Sequence, residues 1–139
     1  MQRVRLSSIV EEVSKRLENA GFKPSTTVYQ LFGRDGADLQ HMGFAIGTPG
    51  STDGSSRRGA DRFIQGELVV GITFQIKADD QPGSFLEALD AFEDADNAAL
   101  SVDRRLGFHL HPVRRIRTLV ADEWLRSDLF YTFDHVHWS

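Results

Sequence analysis

Apolar and polar residues alternate most regularly in residues 67–77, which read ELVVGITFQIK. A period of two places successive side chains on opposite faces of a β-strand. One face is apolar throughout: Leu68, Val70, Ile72, Phe74 and Ile76. The other face has Val69, Gly71 and Thr73 at its centre. We predict that helices cover the apolar face. The second face has no identifiable partner within the chain, so we expect it to meet a neighbouring subunit. The alternative is a solvated face.

Two other segments, residues 8–20 and 85–100, have the 3.6-residue apolar period of amphipathic helices. A serine followed three residues later by a glutamate can cap the start of each, as in Ser8 with Glu11 and Ser84 with Glu87. Gly21 stands where a left-handed C-terminal cap belongs. The second helix has an apolar face of Phe85, Leu89, Phe92, Ala95 and Ala99. Its outer face is acidic and is interpreted as solvated: Glu87, Asp90, Glu93, Asp94 and Asp96.

Four further segments have the composition of strands: residues 26–32, 40–48, 108–120 and 124–138. In the second of these, Gly43, Ala45 and Gly47 occupy one face together with His41, and such small residues permit close approach by another group. Pro112 predicts an edge strand or a bend. The last segment is apolar on both faces, which favours a central strand antiparallel to the one before it.

The predicted order is therefore α-β-β-β-α-β-β. Strands grouped around two helices indicate an α+β fold, with a mostly antiparallel sheet of four to five strands and both helices packed on one face. With 139 residues, the chain is predicted to form a single domain, residues 1–139.

A long glycine- and serine-rich loop, residues 47–61, interrupts the strands and has no apolar period. Loops of this length within a domain tend to have a function. Its region contains Arg57, Arg58 and Arg62, which suit contact with carboxylates or phosphates. The alternative is a solvated loop without a role.

Composition narrows the possible functions. A formal net charge of −4 argues against general nucleic-acid binding. The absence of cysteine excludes disulfides, thiolate metal sites and a cysteine nucleophile. No apolar run approaches the roughly 20 residues of a membrane span, and we predict no membrane partner. No targeting segment is recognisable, which indicates folding in a cytosol.

Two pairs of histidines, His109 with His111 and His135 with His137, lie on strands predicted to be neighbours. Zinc accepts such ligands. However, Pro112 disturbs the first strand and no acid is placed as a general base, so ordinary polar or interface histidines are the preferred interpretation. No nucleophile elbow, phosphate-binding loop, zincin motif or dinucleotide fingerprint is present. We predict no catalytic residue, no metal and no cofactor.

A basic run, Arg114, Arg115 and Arg117, lies on the strand before the last. Together with the acidic outer face of the second helix, it gives the protein surfaces of opposite sign. Separated charges of this kind suit head-to-tail contact between copies of one chain. We therefore predict a subunit or partner interface formed by the basic run, the arginines of the long loop region and the second face of the long strand.

With its predicted helices and strands in the order given above, the chain resembles the tail terminator (tail completion) proteins of long-tailed bacteriophages, the family of the lambda tail terminator. The resemblance rests on the opening amphipathic helix, on GADLQHMGFAIGT as a strand entered from a turn, and on the long polar loop. It continues through GELVVGITFQIKADD, an alternating strand leading into a helix, to the terminal EWLRSDLFYTFDHVHW. The glycine- and serine-rich loop departs from a short-loop version of the family.

This resemblance implies a homo-oligomer, a hexameric ring on the head-proximal end of the tail tube. The ring would stop tube polymerisation and present the surface recognised by the head-closure or stopper protein. DNA would pass through its lumen without specific binding, and the second face of the long strand would meet a subunit or this channel. The protein would reside in the virion, in the tail or neck, and in the host cytoplasm during assembly. The family is not enzymatic.

Two alternatives remain open. One is another neck component, such as a head-closure, stopper or adaptor protein. The other, from a different class, is a histidine-dependent metal-binding domain.

Overall fold

The computed structural model describes residues 6–33, 39–49, 51–53, 61–101 and 110–138, and for residues 51–53, 61–65, 78 and 134–138 it describes the backbone alone. The fold is α+β, with two helices on one face of a mostly antiparallel sheet, as predicted. The helices are α1 (Leu6–Asn19) and α2 (Gln81–Leu100). The strands are β1 (Lys23–Pro24), β2 (Gly43–Gly47), β3 (Ser51–Asp53), β4 (Asp61–Gln75), β5 (His111–Val120) and β6 (Trp124–Trp138).

The sheet is built around two fifteen-residue strands, β4 and β6, which pair antiparallel along their whole length. The strand order is β1-β2-β4-β6-β5, and β3 pairs with β4 beside β2. All pairs are antiparallel except β1 with β2. The final strand is therefore central and antiparallel to its predecessor, as its two apolar faces predicted.

The main core lies between the helices and the first face of the sheet. Leu68, Val70 and Ile72 of β4 have no solvent exposure and pack there with Tyr131 and Phe133 of β6. The α1 side chains in this core are Ile9, Val13 and Leu17. The helical coverage predicted for the apolar face of β4 is confirmed.

The helix ends differ from the predicted capping boxes. Helix α1 already includes Leu6, so Ser8 lies inside the helix instead of capping it. The N-cap of α2 is Asp80, whose carboxylate accepts a hydrogen bond from Gly83 N. Ser84 is buried, and its hydroxyl donates to Asp80 O at 2.7 Å. The predicted C-cap is confirmed, because Gly21 has a φ of +100°.

The segment predicted as a strand at residues 26–32 instead contains a 3-10 turn, Tyr29–Leu31. Its β-branched and aromatic residues indicated a buried strand. Instead, the segment lies across the second face of the sheet and packs Tyr29 and Phe32 against it. Tyr29 in this turn and Phe32, which follows it, both pack in a second core with Leu39, Ala45 and Trp124. The strand prediction was therefore wrong in geometry.

This second core overturns the prediction that one face of β4 lacks an intrachain partner. Val69 and Thr73 have no solvent exposure. Thr73 donates a hydrogen bond to Gln40 O at 2.7 Å. A Cβ on Gly71 would lie 3.1 Å from the ring of Phe32. These three β4 residues are thus buried within the chain, with Phe32 over Gly71 and Gln40 beside Thr73, and are not available to a neighbouring subunit or a channel.

The small residues of β2 are what admit this turn. A Cβ added at Gly47 would lie 2.6 Å from Cδ1 of Tyr29, which is closer than side chains pack. Gly43 similarly borders Gln40. The close approach predicted for this face is made by the chain itself.

We expect Gly47→Ala to lower the free energy of unfolding by about 1–3 kcal/mol, because the new methyl group overpacks the Tyr29 ring. In a Tyr29→Ala background the same substitution is expected to cost little. Urea unfolding of the four proteins in this cycle measures the coupling. An equal cost in both backgrounds would mean that the turn does not cover this face.

His41, which follows Gln40 in the segment before β2, contacts the end of β4. Its Nδ1 accepts a hydrogen bond from Gln75 N at 3.2 Å, and its ring packs edge-on against Phe74. Burial, followed by the charges of Lys77 and Lys23, lowers the pKa of His41 below 6.5.

Because the folded state disfavours protonated His41, stability should fall as the pH drops from 6.5 towards the lowered pKa of this side chain. His41→Asn supplies an acceptor that does not titrate. We expect the difference in unfolding midpoint between this variant and the parent chain to change across this window. A constant difference from pH 7.5 to about pH 5 would contradict the assignment.

Candidate assembly interface

Strand β5 forms an open edge of the sheet. It pairs only with β6 in the part of the chain that the structure describes. All of its residues from His111 to Leu119 are exposed, and Val120 is partly buried. An edge strand leaves about half of its backbone N–H and C=O groups without a partner in the sheet. Among the exposed side chains are three large apolar ones, Val113, Ile116 and Leu119, at 56%, 43% and 57% exposure.

Pro112 explains where this strand lies. Proline has no N–H and is tolerated at sheet edges and bulges. The β5–β6 register shifts between Pro112 and Arg114, which leaves Val113 as the extra residue. Beyond the bulge, pairing continues from Arg114 to Val120 without interruption. The predicted edge or bend at Pro112 is confirmed on both counts.

The basic run alternates across this edge. Arg115 and Arg117 stand opposite Leu129 and Ser127 and share the helix side of the sheet. Arg114 stands opposite Phe130 on the other side, with its guanidinium carbon 4.5 Å from the ring centroid. The edge strand β5 therefore carries arginines on both faces of the sheet.

Arg115 is anchored by a polar network beneath α2. Its guanidinium donates to Asp96 Oδ2, with Nε at 3.0 Å and NH2 in closer contact. The hydroxyl of Tyr131 donates to the other oxygen of Asp96 at 2.6 Å. Burial first, and then the bond to Asp96, raise the pKa of Tyr131 well above 10. The hydrogen bond to Asp96 also raises the pKa of Arg115. Asp96 therefore ties β5 and β6 to the helix.

The burial of Asp96 corrects the predicted pattern of α2. It was assigned to the acidic outer face but is only 8% exposed. Phe85, predicted in the apolar face, is 43% exposed instead. The remaining acids of that face, Glu87, Asp90, Glu93 and Asp94, are exposed. The acidic surface of α2 therefore consists of four of the five predicted carboxylates, without Asp96.

An open groove of about 480 Å³ separates α2 from β5. Leu89, Phe92 and Leu129 give it an apolar part, while Glu93, Asp96, Arg115, Arg117 and Ser127 supply its polar groups. Arg117 forms no ion pair with any residue that the structure describes. Its guanidinium donors therefore remain available at the edge of the sheet.

A second polar network, formed by Arg126, Asp128 and Tyr29, holds the Tyr29–Leu31 turn on the opposite face of the sheet. Arg126 donates to Asp128 Oδ1 with Nε at 3.0 Å and NH2 at 2.9 Å, and also contacts Phe32 O. The hydroxyl of Tyr29 donates to the same Asp128 oxygen at 3.0 Å. Burial, and then the negative charge of Asp128, raise the pKa of Tyr29. This network fixes the Tyr29–Leu31 turn to β6.

The structure separates the predicted interface residues into three groups. Arg114, Arg115 and Arg117 lie together on the exposed edge. Val69, Gly71 and Thr73 are buried within the chain. Arg57 and Arg58 lie outside the described residues, and Arg62 is described only as a backbone position opposite His137.

Of the four paired histidines, only His111 has a described side chain, and it is exposed on β5. His109 and the side chains of His135 and His137 lie outside the described part. Among the described residues, no group of three or more metal-ligating side chains converges. None of the described helices has the length and apolar character needed to cross a membrane.

Comparison with known proteins identifies no relative by sequence. No protein-family model and no curated protein matches the chain. Among solved structures, the chain is similar to the type 4 fimbrial biogenesis protein PilO from Pseudomonas aeruginosa, with a TM-score of 0.42 and 8% identity. That match covers 97% of this chain and 71% of the PilO chain. A similarity of this size has no bearing on the function.

We expect Asp96→Ala to lower the free energy of unfolding by about 1–3 kcal/mol, because it leaves the buried Tyr131 hydroxyl without its acceptor. Asp94→Ala is the matched control, since Asp94 is an exposed acid on the same helix, and it should change stability by less than about 0.5 kcal/mol. Chemical denaturation compares them. Equal losses of stability in the two variants would show that Asp96 has no special structural role.

Proposed function

We propose that this chain is a structural virion protein, a tail terminator that forms a ring on the head-proximal end of a phage tail tube. The observation that carries the proposal is the open edge of β5, where backbone groups, exposed apolar side chains and cations occur together. Such an edge is a template for pairing with another protein. The sequence resemblance supplies the identity of the assembly.

The described polar clusters support a structural role over a catalytic one. Asp96 is occupied by Tyr131 and Arg115, and Asp128 by Tyr29 and Arg126. Each cluster joins a covering layer to β6, and its groups satisfy one another. In this proposal the protein is not an enzyme and needs no cofactor.

The charge distribution supports association between polypeptides. The exposed acids of α2 and the exposed Arg114 and Arg117 of β5 present opposite signs on neighbouring surfaces. Complementary charge chiefly speeds encounter and selects partners. The proposed partners are further copies of this chain, in a hexameric ring, together with the tail-tube protein and the head-closure or stopper protein. DNA passes through the ring without specific contact.

The test is to image the purified chain with its tube protein by negative stain and to determine its oligomeric state by native mass spectrometry. We expect ring-shaped caps at tube ends and tubes that stop growing when the chain is added. Ring formation that requires the tube would agree with the proposal. A monomer that neither forms rings nor binds tube ends would refute it.

A pair of variants assigns the contact to β5. Ile116→Lys with Leu119→Lys places two charges on the exposed edge and should weaken capping about a hundredfold or more, since each desolvated charge costs at least about 1.4 kcal/mol, which is a tenfold change. Val28→Lys is the control, because Val28 is a 61% exposed apolar residue that lies outside β5, directly before the Tyr29–Leu31 turn. Equal loss in both variants would remove β5 from the contact. Binding to the connector instead of the tube would indicate another neck component.

A further inference from the structure

We propose that the outer edge of β5 binds an extended, acidic segment of a different polypeptide, which adds to the sheet as another strand. This inference deepens the proposed assembly function by naming the chemistry of the partner. It rests on the edge itself, and its test requires neither a ring nor a tail tube.

The backbone of β5 provides the first part of the argument. From Arg114 to Val120 the strand pairs with β6 in continuous register, so its outer side presents a regular series of hydrogen-bonding groups. A strand is the partner that satisfies such a series, and a helix is not, because its own backbone groups are already paired. The acidic surface of α2 from another copy therefore cannot replace a strand here.

The charges of β5 determine the sign of the partner. Residues 110–120 contain three arginines and no acid. Asp96 engages Arg115, which leaves Arg114 and Arg117 to meet an incoming chain. Glu93 lines the groove beside Arg117 and Glu67 lines the depression beside Arg114, but neither forms an ion pair with these arginines. Opposite charges across neighbouring strands stabilise pairing, and like charges oppose it.

Like charge also disfavours β5 of a second copy as the occupant. If the regular part of the edge, Arg114 to Val120, paired antiparallel with itself over its full length, Arg117 would stand opposite Arg117. If the whole strand His111–Val120 did so, Arg114 would stand opposite Arg117. Cations on an edge are a recognised means of preventing such self-pairing.

The other described edge of a second copy is also unsuitable. It is divided between the two-residue strand Lys23–Pro24 and the three-residue strand Ser51–Asp53. Neither is long enough to cover the regular part of β5, and the first carries a lysine. Because no edge that the structure describes suits β5, the proposed occupant is a segment from another protein.

The spacing of the two arginines specifies the segment further. Arg114 and Arg117 are three residues apart and lie on opposite faces of the sheet. Side chains of an added strand also alternate between faces, so acids three residues apart would each meet one arginine. Ile116 and Leu119 are exposed on the same stretch and suit β-branched residues between those acids.

The probe is a blocked octapeptide, Thr-Val-Glu-Thr-Val-Glu-Thr-Val, compared with the same peptide carrying lysine at both glutamate positions. Hydrogen exchange of the full chain measures protection of the β5 amides, and calorimetry measures affinity. We expect the acidic peptide alone to protect residues 114–120. Arg114→Glu with Arg117→Glu should weaken its binding about tenfold and create binding of the lysine peptide.

Lys15→Glu with Lys23→Glu is the control, because it changes the net charge by the same amount at exposed positions outside β5. It should leave the preference for the acidic peptide unchanged. Equal binding of both peptides, or protection outside β5, would overturn the proposal. Concentration-dependent protection of β5 without peptide would also overturn it and would assign the edge to a second copy. Ring caps without peptide binding would preserve the proposed function and reject this partner.

Discussion

The structure depends on the antiparallel pairing of β4 with β6. Fifteen opposed residue pairs run from Asp61 opposite Trp138 to Gln75 opposite Trp124 without a register shift. Because side chains alternate along a strand, a slip of one residue would exchange the faces of either strand. Tyr131 and Phe133 would then leave the main core under the helices. This ladder therefore determines which side chains both covering layers meet.

The central strand β6 also carries the polar attachments of both layers. Tyr131 binds Asp96 of α2 on one face, while Asp128 and Arg126 hold the Tyr29–Leu31 turn on the other. Hydrogen bonds between buried polar groups offset the cost of removing them from water. These groups stabilise the layers and face inward. The apolar and cationic side chains of β5 that the sheet leaves exposed lie at the edge, on the strand next to the one that carries these attachments.

Most of the architecture could be predicted because strands and helices produce distinct apolar periods along the chain. The long alternating strand, the two-sided final strand, the edge at Pro112 and both helices follow from such local patterns. Residues 26–32 were mistaken for a strand because β-branched and aromatic residues are suited to burial in either geometry. The serine–glutamate capping boxes were wrong because both helices include residues before the serines, and at α2 the carboxylate of Asp80 makes the cap.

The sequence by itself determined the fold class, the long central strands and the concentration of arginines in β5, because periodicity and local composition are properties of neighbouring residues. The tertiary structure alone decided which polar groups are buried. Asp94 and Asp96 are the same residue type on one helix, yet Asp94 is exposed while Asp96 is buried and bonds to residues 19 and 35 positions away in the chain. Likewise, the second face of β4 is covered because Gly47 and Gly71 admit aromatic rings from a distant turn. Such contacts join residues that are far apart in the chain. The sequence next to either residue has no periodic pattern that predicts the contact.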